Sequence, residues 1–171
     1  GPTREFLDPV RFLSNPSSGK MGLAMAEAAR ALGADVELLL GLVSLGVPDR
    51  IPVNRFISAD DLFELVENSK NADIFIMAAA VSDYKPASVS ESKIKKTEEH
   101  KDLRFENTPD ILQWLGDKKQ PHQTLIGFAM ETDNVIENAS KKLEKKNADY
   151  ICVNQLNESN TGFVSDKNTI T

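Results

Sequence analysis

The chain has 171 residues, 40% hydrophobic and 27% charged, enough apolar material for one substantial core and unlike a disordered or fibrous sequence. Its formal net charge of −6 argues against non-specific nucleic-acid binding, which needs a positive surface, so an anionic ligand must find a locally basic site. A single cysteine, Cys152, allows no intrachain disulfide, no apolar run approaches the ~18 residues of a membrane span, and no signal pattern opens the chain; the expectation is a cytoplasmic protein without nucleic-acid or membrane partners.

Residues 1–22 are polar, rich in Gly, Pro, Ser and Asn, and read as loop. Residues 23–32 are strong helix formers, stopped by Gly33, and 36–40 form a short apolar run suited to a buried strand. In 60–70 the apolar residues Leu62, Phe63, Leu65 and Val66 make a helical face that Ser58 or Asp60 can cap. Residues 73–81 are almost continuously apolar, the pattern of a strand covered on both faces. Residues 82–102 break this rhythm: they are polar and charged, 97–102 have no apolar anchor, and a mobile flap is expected there. A short strand is expected at 103–106. Thr108-Pro109-Asp110 has the form of a helix start, with Thr108 as cap, proline first and an acid in the first turn. A strand at 124–130, a lysine-rich helix at 134–147 and a strand at 149–154 complete the alternation. The expected fold is a single α/β domain over 1–171, a doubly wound, Rossmann-like, mostly parallel sheet with its ligands beyond the carboxyl ends of the strands.

Three stretches carry chemical potential at those ends. Ser14 to Gly22 offers hydroxyls and backbone N–H groups at a helix entry, with Ser17, Ser18, Gly19 and Lys20 suited to phosphate; alternatively its glycines serve tight helix packing. It is neither a P-loop nor a dinucleotide fingerprint, because Gly19-Lys20 is followed by Met21 and only Gly19 and Gly22 are present. In Ala78-Ala79-Ala80-Val81-Ser82-Asp83, small residues let a ligand approach the backbone, and Asp83 can hold a metal ion or a ribose hydroxyl, or be an ordinary loop acid. Lys93-Ile94-Lys95-Lys96 and the pair Lys142 and Lys146, four apart on one helical face, are either solvated charge or a polyanion site. His100 and His122 form no zinc pattern, and no nucleophile motif is present, which favours catalysis by positioning and charge stabilisation.

Several motifs together resemble the phosphopantothenoylcysteine synthetase family. They are Gly1-Pro2-Thr3-Arg4-Glu5, Asp8-Pro9-Val10-Arg11-Phe12-Leu13-Ser14-Asn15, Ser17-Ser18-Gly19-Lys20-Met21-Gly22, Ala79-Ala80-Val81-Ser82-Asp83-Tyr84 and Lys93-Ile94-Lys95-Lys96. Asn107-Thr108-Pro109-Asp110-Ile111, Gly127-Phe128-Ala129-Met130-Glu131-Thr132, and Asn154 with Gly162-Phe163 extend the likeness over nearly the whole chain. The resemblance implies a ligase in coenzyme A synthesis in which the phosphopantothenate carboxylate attacks the α-phosphate of CTP, and the cysteine amine then displaces CMP from the acyl-cytidylate. It implies Mg²⁺, a homodimer and, in bacteria, fusion to a flavin-dependent decarboxylase. By match to the family motifs, Asn15 and Arg11 handle the acyl-cytidylate, Ala80 lines its pocket and Lys93 stabilises charge during activation. Met77, Ala78, Ala79, Asp83, Pro109, Asp110, Ile111, Leu112, Phe128, Lys142 and Lys146 fall at nucleotide-binding positions, Asp83 doubling as a candidate Mg²⁺ ligand. The family has a strand before its Gly-Pro-Thr-Arg-Glu motif and continues past the Gly-Phe segment, so this chain is expected to lack a first strand and a C-terminal end. Two rivals stay open: a nicotinamide-dependent reductase, which lacks the glycine fingerprint here and has Ser88 where a lysine would follow Tyr84, and a nucleotide-binding regulatory module.

Overall fold

The structure is a computed structural model and describes residues 1–96, 102–131 and 134–155. The first segment is not plain loop: β1 (Arg4–Phe6) and β2 (Phe12–Ser14) form an antiparallel hairpin. Its turn is built by Asp8, whose Oδ1 accepts from the Val10 and Arg11 amides, each at 2.8 Å, a local bond that substitutes for a backbone turn. Helix α1 (Lys20–Ala31) follows, bounded by Gly19 at φ 78° and Gly33 at φ 91°. A side chain at Gly19 would meet Val43 at 2.7 Å, so both backbone and space require glycine there.

The short strands β3 (Leu38–Leu40) and β4 (Val53–Arg55) pair in parallel; β4 is too short and polar to announce itself in sequence. Helix α2 (Ala59–Asn68) starts with a full capping box, Ser58 and Asp61 each bonding the other's backbone, so Ser58 and not Asp60 is the cap. After β5 (Ile74–Met77) the chain forms β6 (Tyr84–Pro86), antiparallel to β7 (Phe105–Asn107). The stretch expected to be a flap is therefore structured at its near end. Ser90 N donates to Leu7 O at 3.0 Å and Ile94 N to Asp8, while 97–101, including His100, lie outside the described residues.

Helix α3 (Ile111–Lys118) is capped by Asp110, whose carboxylate accepts from Gln113 N, and not by Thr108. Thr108 is engaged elsewhere: its hydroxyl donates to Ser82 O at 2.6 Å and its amide to Asp83 O at 3.1 Å. The elements β8 (Thr124–Glu131), α4 (Val135–Lys145) and β9 (Tyr150–Gln155) complete the order. Thr132 and the Gly162-Phe163 segment lie outside the described residues.

Strands β5, β8 and β9 form a parallel sheet in that order. Residues Gly1 to Arg4 link it to the β3–β4 pair: Pro2 bridges Ala80 in parallel, and Arg4 N donates to Ile57 O at 2.7 Å. Helices lie on both faces, as in a doubly wound fold. Phe75 and Leu125 pack with Leu62 and Val66 of α2 and with Ile111 and Leu115 of α3, whereas Leu23 and Ala26 of α1 pack on Leu38 and Leu40. Full burial of side chains such as Phe56, Leu62 and Leu125 contributes about 1.5–3 kcal/mol each. Strand β5 departs from the two-face expectation. Ile74 and Ile76 are 58% and 41% exposed on the face opposite Phe75, because α2 and α3 both pack on the Phe75 side.

Candidate functional site

At the carboxyl ends of the parallel strands lies a cleft of about 440 Å³, within the size range of small-ligand sites. Met77, Ala79 and Val81 leave β5 along one wall, Asn107 to Leu112 enter α3 along another, and Phe128 of β8 with Lys142 of α4 and Lys146 at its C-cap closes the third. Asp83 and Tyr84 stand at its rim. Apolar side chains line much of the cleft, and the two lysines supply positive charge in a chain that is acidic overall.

Both lysines are held in place. Lys142 donates to Phe128 O at 2.8 Å, and Lys146 pairs with the Asp110 carboxylate. Burial alone raises the Asp110 pKa, but the hydrogen bond from Lys146, the Gln113 amide and the nearby lysine charges outweigh it and hold the acid below its usual range. Ala78 points the other way, toward Gly22 of α1, because successive residues on an extended chain alternate sides. A Cβ on Gly22 would meet Ala78 Cβ at 3.9 Å, an ordinary contact, so packing does not demand glycine at this position.

A second cleft, about 510 Å³, is lined by Pro2, Arg4, Phe12, the stretch from Ser14 to Ser18, and the stretch from Leu42 to Leu45. It brings together Asn15, Ser17 and Ser18; Gly19 and Lys20 lie just beyond, at the entry to α1. Arg4, whose guanidinium sits 4.6 Å from the centre of the Phe12 ring, is a cation of this cleft that sequence reading placed only within a motif. Asn15 joins the two clefts. Its side-chain amide donates to Ala80 O at 3.3 Å and to Val81 O at 3.1 Å, and Val81 lines the first cleft. Ala80 lies outside both linings but is held from both sides, by Asn15 and by Pro2.

Over residues 1–171 the chain matches the DNA/pantothenate metabolism flavoprotein C-terminal domain family. It belongs to that family. It is 47% identical over 176 residues to the coenzyme A biosynthesis bifunctional protein CoaBC of Bacillus subtilis (strain 168), a match covering 100% of this chain and 42% of that protein. It is 46% identical over 173 residues to a cysteine/cysteine sulfinic acid decarboxylase of an unknown prokaryotic organism, covering 100% of this chain and 48% of that protein. The crystal structure of the C-terminal domain of a CoaBC protein superposes with a TM-score of 0.80 at 46% identity, covering 90% of this chain and 73% of that one. The chain spans less than half the length of these curated relatives.

Arg11 and Lys93 line neither cleft. Arg11 donates through Nε and Nη2 to Asp8 Oδ2, at 3.0 and 2.7 Å, and through Nη2 to Ile94 O. Lys93 is exposed, on the strip of chain that this contact holds. Lys85 donates to Asp60 at 2.6 Å, tying β6 to α2, and this hydrogen bond raises its pKa. Among the described residues no three His, Cys, Asp or Glu side chains converge as a metal cage. Asp83, exposed at the rim, can still give one carboxylate to a Mg²⁺ whose other ligands are phosphate oxygens and water. No helix among the described residues is long and apolar enough to cross a membrane.

Proposed function

We propose that this chain is the ligase domain that joins 4'-phosphopantothenate to L-cysteine in coenzyme A biosynthesis, with CTP converted to CMP and pyrophosphate. The observation that carries the reading is that Asn15 bonds the backbone between two clefts, one apolar with two lysines and the other hydroxyl-rich at a helix entry. A nucleotide in the first and an acid in the second would meet at the end of β5, where the backbone of 79–81 runs between them. The CoaBC relatives support coenzyme A biosynthesis as the setting.

In this reading Met77, Ala79, Pro109, Ile111, Leu112 and Phe128 hold the cytosine and ribose, and Lys142 and Lys146 bind the phosphates, with Asp110 orienting Lys146. Ala78 supports the wall from behind. Ser17, Ser18, Gly19 and Lys20 hold the phosphate of phosphopantothenate at the α1 entry. The substrate carboxylate displaces pyrophosphate from the α-phosphorus, giving an acyl-cytidylate; the cysteine amine then attacks the acyl carbon, releases CMP and loses its proton. Lys93 offsets charge in the first step, Asn15 and Ala80 shape the pocket for the second, and Arg11, engaged by Asp8 and Ile94 O, serves the acyl-cytidylate indirectly, through the strip that carries Lys93. Mg²⁺, held by Asp83 and the nucleotide, would supply charge neutralisation of the triphosphate. A homodimer, a cytoplasmic location and a covalently linked flavin-dependent decarboxylase belong to the same proposal.

The test is product timing. Pyrophosphate should appear on mixing CTP with phosphopantothenate, and CMP only once cysteine is added, with ATP a poorer donor than CTP. CMP formed as fast without cysteine would overturn the reading.

A further inference from the structure

The fully buried Asp8 carboxylate is used far beyond its own turn. Besides the Val10 and Arg11 amides, it accepts from Ile94 N at 3.0 Å, a residue 86 positions away. The Arg11 guanidinium, bound to Asp8 by two of its nitrogens, donates to Ile94 O. One acid–base pair thus grips both backbone polar groups of Ile94, doing with side chains what a neighbouring strand does with its backbone. Burial by itself raises the Asp8 pKa, but the Ile94, Val10 and Arg11 amides and the Arg11 guanidinium hold it well below the usual carboxylate range. The pair is therefore a charged clamp near neutral pH. Ile94 sits between Lys93 and Lys95, so where the clamp holds Ile94 fixes where both ammonium stems begin.

We propose that Asp8, acting with Arg11, is a positioning residue: the clamp on Ile94 sets Lys93 for the activation step. The inference rests on the ligase reading for the role of Lys93, but the clamp itself is independent of it. In this arrangement Arg11 acts through the Lys93 strip, because its guanidinium is already engaged by Asp8 and by Ile94 O.

The experiment compares Asp8→Asn, which keeps the side-chain size and removes the charge, with Lys93→Gln and the double variant in the protein carrying this chain. Without substrates, hydrogen exchange at the Ile94 amide should accelerate in Asp8→Asn while the buried Phe56 amide, bonded to Leu40 O, keeps its protection and reports an intact fold. With substrates, kcat for pyrophosphate release should fall on the order of 10–100-fold, with KM for CTP nearly unchanged, since misplacing a catalytic group acts on the transition state. Asp8→Asn should add little further loss to Lys93→Gln, because residues acting as one unit are not additive. Asp8→Glu, which keeps the charge, should recover part of the rate. Unchanged Ile94 exchange overturns the clamp; fast exchange with an unchanged kcat, or full additivity with Lys93→Gln, overturns the positioning role. No pyrophosphate release from the unmodified protein overturns the ligase reading and the positioning role with it, while Ile94 exchange still reports on the clamp.

Discussion

Lys146, the C-cap of α4, is ion-paired with Asp110, the residue that caps α3, so the ends of the two helices meet across the mouth of the first cleft. The contact orients the ammonium group before any ligand arrives. In the proposed function it would also couple nucleotide binding to the packing of α3 against the end of α4.

Replacing Lys146 with Met should weaken CTP binding about 10-fold or more, because a hydrogen bond to a charged group contributes about 1.5–3 kcal/mol and 1.4 kcal/mol is tenfold in affinity. The Asp110 pKa should rise at the same time, since its main stabilising partner is gone. Calorimetric titration with CTP measures the first effect. An unchanged Kd would remove Lys146 from the site.

Gly116 is where α3 and α4 touch. A Cβ there would lie 1.8 Å from Lys146 O and 3.3 Å from Asn147 Cβ, and backbone cannot yield as a flexible side chain does. Gly116→Ala should therefore cost about 1–3 kcal/mol of stability in urea unfolding, typical of overpacking, and weaken the bond from Asn147 Nδ2 to Gly116 O. CTP affinity should fall with it, because parting the helices parts Asp110 from Lys146. A stability change below about 0.5 kcal/mol would contradict the close approach.

Asn15 is exchangeable for neither Ala nor Asp. Asn15→Ala removes the side-chain bonds to Ala80 O and Val81 O; Ala80 O keeps the Thr3 amide at 3.3 Å, so the cost of about 1–3 kcal/mol for an unsatisfied group falls on Val81 O. Asn15→Asp should be worse at pH 7, because it sets a carboxylate against two carbonyl oxygens. Thermal unfolding of the two variants gives the order, and equal melting temperatures for Asp and Asn would refute it.

Asp149 links β8 to α3 by accepting from Leu125 N and from Lys119 Nζ, both at 2.7 Å. The Lys119 hydrogen bond, then the Leu125 amide, lowers its pKa below the usual carboxylate value. A group whose folded pKa is depressed stabilises the protein fully above the unfolded value, about 4, and this contribution is lost as pH falls through the folded pKa. The urea midpoint should thus decline on acidification below about pH 4. Asp149→Asn should lower the midpoint at pH 7 and converge on the parent protein in acid. Parallel pH curves for the two would show that Asp149 contributes nothing through its charge.

Much of the framework was legible because its signals are local. The helix at α2 with its cap at Ser58 or Asp60, the Gly33 stop of α1 and the strands β8 and β9 each follow from residues a few positions apart, whereas α1 begins at Lys20, three residues before the run of helix formers. Hydrophobic period and cap chemistry act within a turn or two, so a single pass along the chain finds them. Their alternation, strand then helix, also sufficed for a doubly wound sheet with its sites at the strand ends. What tertiary structure alone decided depends on partners far apart in sequence. Thr108 looks like a helix cap but is taken by Ser82 O, leaving the cap to Asp110; β6 and β7, three residues each, exist because Tyr84 to Pro86 pair with Phe105 to Asn107 far along the chain rather than from any periodicity of their own. The lysines at 142 and 146 come to line one cleft only because the fold sets them beside Phe128 and Asp110. Asp8 carries the same lesson furthest. Within its own segment it is a turn residue, and its second use appears only when the fold brings Ile94 within 3.0 Å, because hydrogen bonding depends on distance in space and not along the chain.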